Sequence, residues 1–559
     1  MNKEKVDFAK LFLEKEYSKI ISIIEKIPEK KKNSGILNLQ GVCKTALSHS
    51  NEVLESAIDD FRKSYLKEKN STNAIHALRN LINTSVILFD NKFKDELKLD
   101  KKFFQEIFEY YDKEKILFEK STPHILAIIK VFKRFLDLNN VIYHLKKLVE
   151  NEKSNSDALS ALCFFNNYKY EWKQPEYLKY SKVLNQILKK YSSNELVNVK
   201  QSKNEKINLA FISSDIRLKH SITYFLRTIL TNYDENKYRL HLYLNNIQED
   251  ETTKEFKKYV YIARNITKLD DLTAINTIRN DQIDIIIDLN GFSSNHRLVL
   301  LKNRLAPIQI SWCGYTNTTG INELDYLIAD RNLIREAEEN LYSEKVIYLP
   351  SIWNCHSGYD EKRTNNNMPY NENKFITFGS FNNFLKINEE VIDAWSEILK
   401  KVENSKLILK TSIATSNDNM IEKFKKNGVL SSIEFLTFKK SFKDHLNLYK
   451  KIDIALDTFP WNGVTTSFEA IWMGVPVITM KGFNFNSRCG ESINRNAKLE
   501  NLIAENKGDY INKAVSLAQN NVELKKIRGN IYENALNTAL FDKKKFCNEF
   551  FSALEKIYN

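Results

Sequence analysis

Two adjacent threonines, Thr465 and Thr466, stand where a strand-like run gives way to a helical pattern in DTFPWNGVTTSFEAIWMGVPVITM, residues 457–480. A helix start offers unpaired backbone N–H groups and the positive end of the helix dipole, and two hydroxyls add donors. The chemistry such a group offers is phosphate binding. Asn462-Gly463 permits the turn before it, and Glu469, one turn in, has acceptor oxygens suited to sugar hydroxyls. The spacing from Thr466 to Glu469 equally describes an ordinary capping box. Lys386, in SFNNFLKINEE, lies between a strand pattern and a helix pattern, with Asn382 and Asn383 just before it. A lysine there reaches a pyrophosphate as a mobile point charge, or is a solvated surface group. His220, in SSDIRLKHSITYFL, is placed to act as a general base or to orient a substrate, and equally to cap a helix or fill a core.

These residues need a scaffold that brings strand ends together. From Lys206 onward short apolar runs alternate with helical patterns: KINLAFISSD, YRLHLYLNN, a helix near 271–280, QIDIIIDLNGF, PIQISWCGY and LDYLIAD. After the polar stretch EKRTNNNMPYNENK at 361–374, read as a linker, the alternation restarts. FITFGSFNN, SKLILKT, IEFLTF, DIALDTF and GVPVITM are separated by helices near 388–402, 417–427 and 441–451. This is the grammar of parallel sheets covered by helices, which bind ligands at the carboxyl ends of their strands. Ser213, Ser214, Asp215, Asp288, Asn290, Gly291, Gly314, Tyr315 and Thr316 hold such positions in the first sheet. Residues 1–200 show helical periodicity instead. Leu37, Gly41, Ala57, Phe61 and Tyr65 set small against large residues at helical spacing, as in a tetratricopeptide pair or a generic helical domain. The expected domains are 1–200, 206–365 and 370–559.

Composition narrows the classes. The net charge of +13 admits an anionic partner, but no basic stripe is interleaved with aromatics, so no nucleic-acid partner is expected. The six cysteines are scattered without CxxC spacing, which points away from disulfides and structural zinc and toward a reducing, cytoplasmic setting. The charged N-terminus MNKEKVDFAKLFLEKEYSKI lacks a signal-peptide pattern, and no run is long enough to span a membrane. No HExxH, GxGxxG or GxxxxGK[ST] motif occurs.

Six separated motifs then coincide in order: SSDIRLKHSITYFL, DIIIDLNGFSSNHR, RLAPIQISWCGYTNTTG with LDYLIAD, YSEKVIYLP, FGSFNNFLKI and DIALDTFPWNGVTTSFEAIWMGVPVITM. Together they resemble glycosyltransferase family 41, which includes protein O-GlcNAc transferases and SPINDLY proteins, over roughly 155–559. SDALSALCFFNNYKYEWKQPEYLKYSKVL resembles the helical lead-in of that family. The resemblance implies a GT-B fold of two Rossmann-like α/β lobes behind an all-α, tetratricopeptide-like domain. It implies an inverting, metal-independent transferase with no cofactor beyond its nucleotide-sugar substrate, acting on Ser or Thr of a protein. Lys386 matches the family's phosphate-contacting lysine and Asn383 a neighbouring donor contact. Thr465 and Thr466 match its paired threonines at the diphosphate, Glu469 the acid that holds the ribose, and His445, in FKDHLNLY, a histidine near the base. His220 matches a histidine of the N-terminal lobe that shapes the site. Val464 stands where O-GlcNAc transferases carry histidine, Trp461 replaces a smaller residue, and the step from Asp215 to His220 is one residue longer than usual. The implied donor is UDP-GlcNAc, with another UDP-hexose (a transferase to Asn included) or GDP-fucose as alternatives. Were the source bacterial, flagellin or another surface protein would be an acceptor of the implied kind. A helical-repeat binding protein with vestigial lobes, and another GT-B enzyme such as a glycan transferase or a nucleotide-sugar epimerase, are the competing readings.

Overall fold

The computed structural model describes residues 7–93, 101–191, 204–218, 220–360, 368–410, 418–436 and 441–559. The chain forms two compact units. One is Met1–Lys153 with Ser412–Asn417, which lies outside the described residues; the other is the remainder.

The first unit is helical. Helices Ser34–Leu47, Asn51–Lys67 and Thr72–Lys92 start where the side chains of Asn33, Ser50 and Ser71 accept from backbone N–H groups three residues on. Their facing residues Leu37, Ala57, Phe61, Tyr65, Leu78 and Leu81 are buried. A Cβ on Gly41 would come within 2.6 Å of the Phe61 ring, so the small-against-large pattern in the sequence is a real close approach of two helices.

The second unit holds two parallel sheets. The first contains β1 (Ile207–Ser213), β2 (Tyr238–Leu244), β3 (Ile262–Asn265), β4 (Ile285–Asp288), β5 (Ile308–Ser311), β6 (Tyr326–Ala329) and β7 (Lys345–Tyr348), in the order β3-β2-β1-β4-β5-β6-β7. The second contains β8 (Thr377–Ser380), β9 (Lys406–Lys410), β10 (Ile433–Leu436), β11 (Ile454–Leu456), β12 (Val477–Met480) and β13 (Ile503–Ala504), in the order β10-β9-β8-β11-β12-β13. Their inner strands read as continuous apolar runs because helices bury both faces; β4, β5 and β12 are buried throughout. In each sheet the order reverses at its first strand, between β1 and β4 and between β8 and β11. These switch points open crevices at the carboxyl ends.

Helices Ser156–Asn166 and Gln174–Leu188 belong to this second unit, so the first unit ends at Lys153 rather than near residue 200. Residues 192–200 lie outside the described residues. The reason is packing: Gln174 donates to Asn317 Oδ1 at 2.8 Å and accepts from Asn484 Nδ2 at 3.1 Å, joining a loop of each lobe. Of the expected linker, 361–367 lies outside the described residues and Pro369–Asn373 is a short helix. The last helix, Lys543–Tyr558, leaves its own lobe. Its Phe550 packs on Trp312, 5.0 Å between ring centroids, and Glu549 accepts from the Ser351 hydroxyl at 2.7 Å.

Candidate active site

The loop after β11 is built around Asp457. Its buried carboxylate accepts from the backbone N–H groups of Thr458 at 2.8 Å and Gly463 at 2.6 Å, and from Thr479 Oγ1 at 2.7 Å. Burial pushes this carboxyl up to about 6 against those bonds and the nearby Lys386 charge. Gly463 has no room for a side chain: a Cβ would lie 2.5 Å from Thr466 Oγ1 and 2.8 Å from Asn382 Oδ1.

The helix Thr465–Trp472 follows. Its cap is Val464, with no side-chain cap; Ser467 N reaches Val464 O at 2.9 Å, and among the described residues the N–H groups of Thr465 and Thr466 have no acceptor. The capping-box arrangement is not formed. Thr466 Oγ1 donates to Asn382 Oδ1 at 2.8 Å, and Glu469 turns inward to His445 Nε2 at 2.9 Å and Tyr449 Oη at 2.8 Å. Lys410 Nζ lies 2.7 Å from His445 Nδ1, which extends the chain of contacts. Burial raises the Glu469 carboxyl, but His445, Lys410 and Tyr449 outweigh it and hold it below the usual range.

Lys386 ends the turn Phe384–Lys386 after β8. Its Nζ donates to Asn462 O at 2.7 Å and lies 5.1 Å from the centre of the Trp461 ring. Burial pushes it down to about 8, opposed by Asp457. Asn383 is exposed, and its side chain accepts from Leu385 N at 3.0 Å.

Across the crevice, His220 caps the helix Ser221–Leu230 by position and makes no side-chain cap bond. Its Nε2 lies 3.6 Å from Asp215 Oδ1, and its buried Nδ1 has no partner among the described residues. Burial holds the imidazole below its ordinary value, opposed by the Asp215 charge. Asp215 is fixed in turn by Asn290 Nδ2 at 3.0 Å and Ser293 Oγ at 3.1 Å. Asn290 follows Asp288, whose carboxylate accepts from Gly291 N at 2.7 Å; the tight turn uses the left-handed φ of +53° at Gly291.

One cleft of about 250 Å³ between the lobes is lined by His220, Asn383, Lys386, Trp461, Thr465 and Thr466, with Cys313, Gly314 and Thr316 on the first-lobe wall. Of the seven residues assigned a site role from sequence, five (His220, Asn383, Lys386, Thr465 and Thr466) therefore share a cavity. His445 and Glu469 do not line it; they form a buried pair behind the helix start. The site can bind a phosphate-bearing leaving group against Lys386 and the helix N-terminus, with the His220 imidazole on the opposite wall. Among the described residues no group of three or more His, Cys, Asp or Glu side chains is placed to hold a metal ion.

Sequence reasoning missed Asp457, Tyr449, Lys410 and the contact between Trp461 and Lys386. Asp457 sits at a strand's carboxyl end, the position the ligand rule singles out, and was legible on that ground. Tyr449 carried no such signal, because its role depends on the inward turn of Glu469.

Three comparisons bear on this geometry. The profile described as Glycosyl transferase family 41 matches residues 178–358 and 361–550. A tomato (Solanum lycopersicum) protein named "Probable UDP-N-acetylglucosamine--peptide N-acetylglucosaminyltransferase SPINDLY" is 32% identical over 364 residues, covering 63% of this chain and 38% of its own length. The Arabidopsis thaliana protein of the same name is 32% identical over 330 residues, 58% of this chain and 36% of its own length. An Arabidopsis thaliana relative named SEC, with the same activity in its name, is 26% identical over 369 residues, 64% of this chain and 37% of its own length. The matches thus span less than two fifths of these relatives. A mutant of the Thermobaculum terrenum O-GlcNAc transferase superposes with a TM-score of 0.74 at 22% identity, over 97% of this chain and 98% of that one, which shows a shared fold.

Proposed function

We propose, for a chain that belongs to glycosyltransferase family 41, that it moves a sugar from a nucleotide sugar to a Ser or Thr hydroxyl of a polypeptide, with inversion and without a metal. The observation that carries this reading is the convergence of Lys386, Thr465 and Thr466 on one interlobe cleft. GlcNAc from UDP-GlcNAc is the donor proposed first, supported by the names of the plant relatives. The acceptor oxygen attacks the anomeric carbon. The bond from that carbon to the diphosphate oxygen breaks, and the departing charge falls to Lys386, the two threonine hydroxyls and the helix N-terminus. His220, the histidine on the cleft wall, is assigned the acceptor proton. Asn383 adds a donor contact at the mouth, and the buried Glu469–His445 pair braces the helix start from behind. Were the source bacterial, a surface protein such as flagellin would be the acceptor to try first.

The test is thermal stabilisation of the purified chain by UDP, GDP, UDP-GlcNAc, UDP-glucose and GDP-fucose, with EDTA present. Ligand at about 100 times Kd adds ~2.7 kcal/mol. Stabilisation by UDP and UDP-GlcNAc is the expected result; selective stabilisation by the GDP pair moves the donor to GDP-fucose. No shift with any ligand overturns the reading in favour of a vestigial catalytic region. Lys386→Ala is expected to cut transfer by about 10²- to 10³-fold, the loss typical for a group that stabilises developing charge.

A further inference from the structure

We infer that Trp461 is a positioning residue for Lys386, holding the ammonium over its ring at the cleft and aiming it at the diphosphate of the donor. The inference rests on the transferase reading above and adds a residue to which that reading assigns no role.

Lys386 sits at the end of a three-residue turn. Two contacts place its ammonium, and both come from the loop after β11: the Asn462 carbonyl at 2.7 Å and the Trp461 ring at 5.1 Å. No ion pair to Lys386 is present among the described residues. The two contacts differ in kind. A phosphate oxygen outcompetes a neutral carbonyl for an ammonium, because the bond is charge-assisted on both sides. The ring does not compete for the same N–H directions, so the cation can keep its face while it turns to the donor.

Trp461 is itself held firmly. Tyr168 packs at 4.5 Å and Phe164 meets it edge-on at 5.4 Å, both from the helical lead-in, and its carbonyl accepts from Thr458 Oγ1 at 2.8 Å. Phe164 also lies parallel to Tyr315 in the loop after β5, 6.5 Å between centroids. The indole is thus clamped by the lead-in, and through Phe164 by the first lobe, while it faces a lysine of the second. A ring held on one side and lining the cleft on the other does more than fill space. The ring covers one side of the ammonium, and burial is the main cause of that group's low value of about 8.

The test follows UDP affinity against pH, in the full chain, for the wild type, Trp461→Phe, Trp461→Leu and Trp461→Ala. Wild-type affinity is expected to weaken as pH rises through about 8, where Lys386 loses its charge. Trp461→Phe keeps a ring and a dry site, and the break stays in place. Trp461→Leu keeps the site dry but removes the face that favours the cation, so the break moves down. Trp461→Ala admits water, so the break moves up, and affinity at neutral pH falls by about tenfold or more through misplacement. Breaks that stay at the wild-type pH in both Leu and Ala variants overturn the inference and leave Trp461 a packing residue. Melting curves run alongside keep a folding defect separate. A wild-type chain that binds neither UDP nor GDP overturns the parent reading instead, and that result is distinct from a failure confined to Trp461.

Discussion

Asp457 shows how one residue binds structure to chemistry. Its carboxylate ties together both ends of the loop that carries Asn462 and Gly463, and its charge favours the cationic form of Lys386. It is a buried acid whose folded value, about 6, lies above its ordinary 3.8. The folded chain therefore binds more protons than the unfolded chain between those values, and this group's contribution to stability falls as pH rises from about 4 through 6. Asp457→Asn cannot titrate and still accepts from both N–H groups. Denaturant unfolding at pH 4.5, 5.5 and 6.5 is expected to show the wild type losing stability relative to the variant across that window. Parallel curves would mean that Asp457 does not titrate there.

At the scale of elements, the helix Thr465–Trp472 and the loop before it act together. Gly463 is needed for space: a Cβ there would press on the Thr466 hydroxyl and on Asn382. Gly463→Ala is expected to weaken UDP binding by about tenfold, ~1.4 kcal/mol, and to lower the melting temperature as well, because the added methyl overpacks a buried loop. Unchanged affinity would show that Thr466 is not held in its binding position by this contact. The interior strands were legible because a parallel strand buried on both faces writes a continuous apolar run. The strand β3 was not, since the edge strand IARN is half exposed and polar enough to resemble a loop. The two-residue strand β13 is too short to carry any period.

At the scale of the whole second unit, the lobes are joined by charge as well as by packing. Glu338, from the connection between β6 and β7, pairs with Arg488 at the start of the helix Cys489–Asn496, with 2.8 Å from Oε1 to Nη2. Arg335 from the same connection pairs with Glu491, both carboxylate oxygens at 2.9 Å and Glu491 fully buried. Removing one partner of such a pair leaves the other charge without compensation. Glu338→Ala is expected to destabilise the unit by about 3 kcal/mol, seen as a lower denaturation midpoint, because Arg488 stays buried. A shift within a few tenths of a kcal/mol would show that Leu333 O and Gly482 O, its other acceptors, are enough to satisfy it.

The sequence by itself determined the helical first region, two runs of alternating strand and helix, and the short list of residues at strand ends. These follow from local periodicity, which a few neighbouring residues carry. It also determined the family, through motifs kept in order along the chain. Which loops face each other was decided only by the tertiary structure. Lys386 meets Asn462 across 76 positions and Thr466 meets Asn382 across 84. The lead-in helices joined the second unit, the last helix returned to the first lobe, and Glu469 turned from the helix start to His445. None of these has a local signature. Each is fixed when apolar faces must be covered and buried polar groups must find partners, conditions that exist only after the sheets have formed and packed.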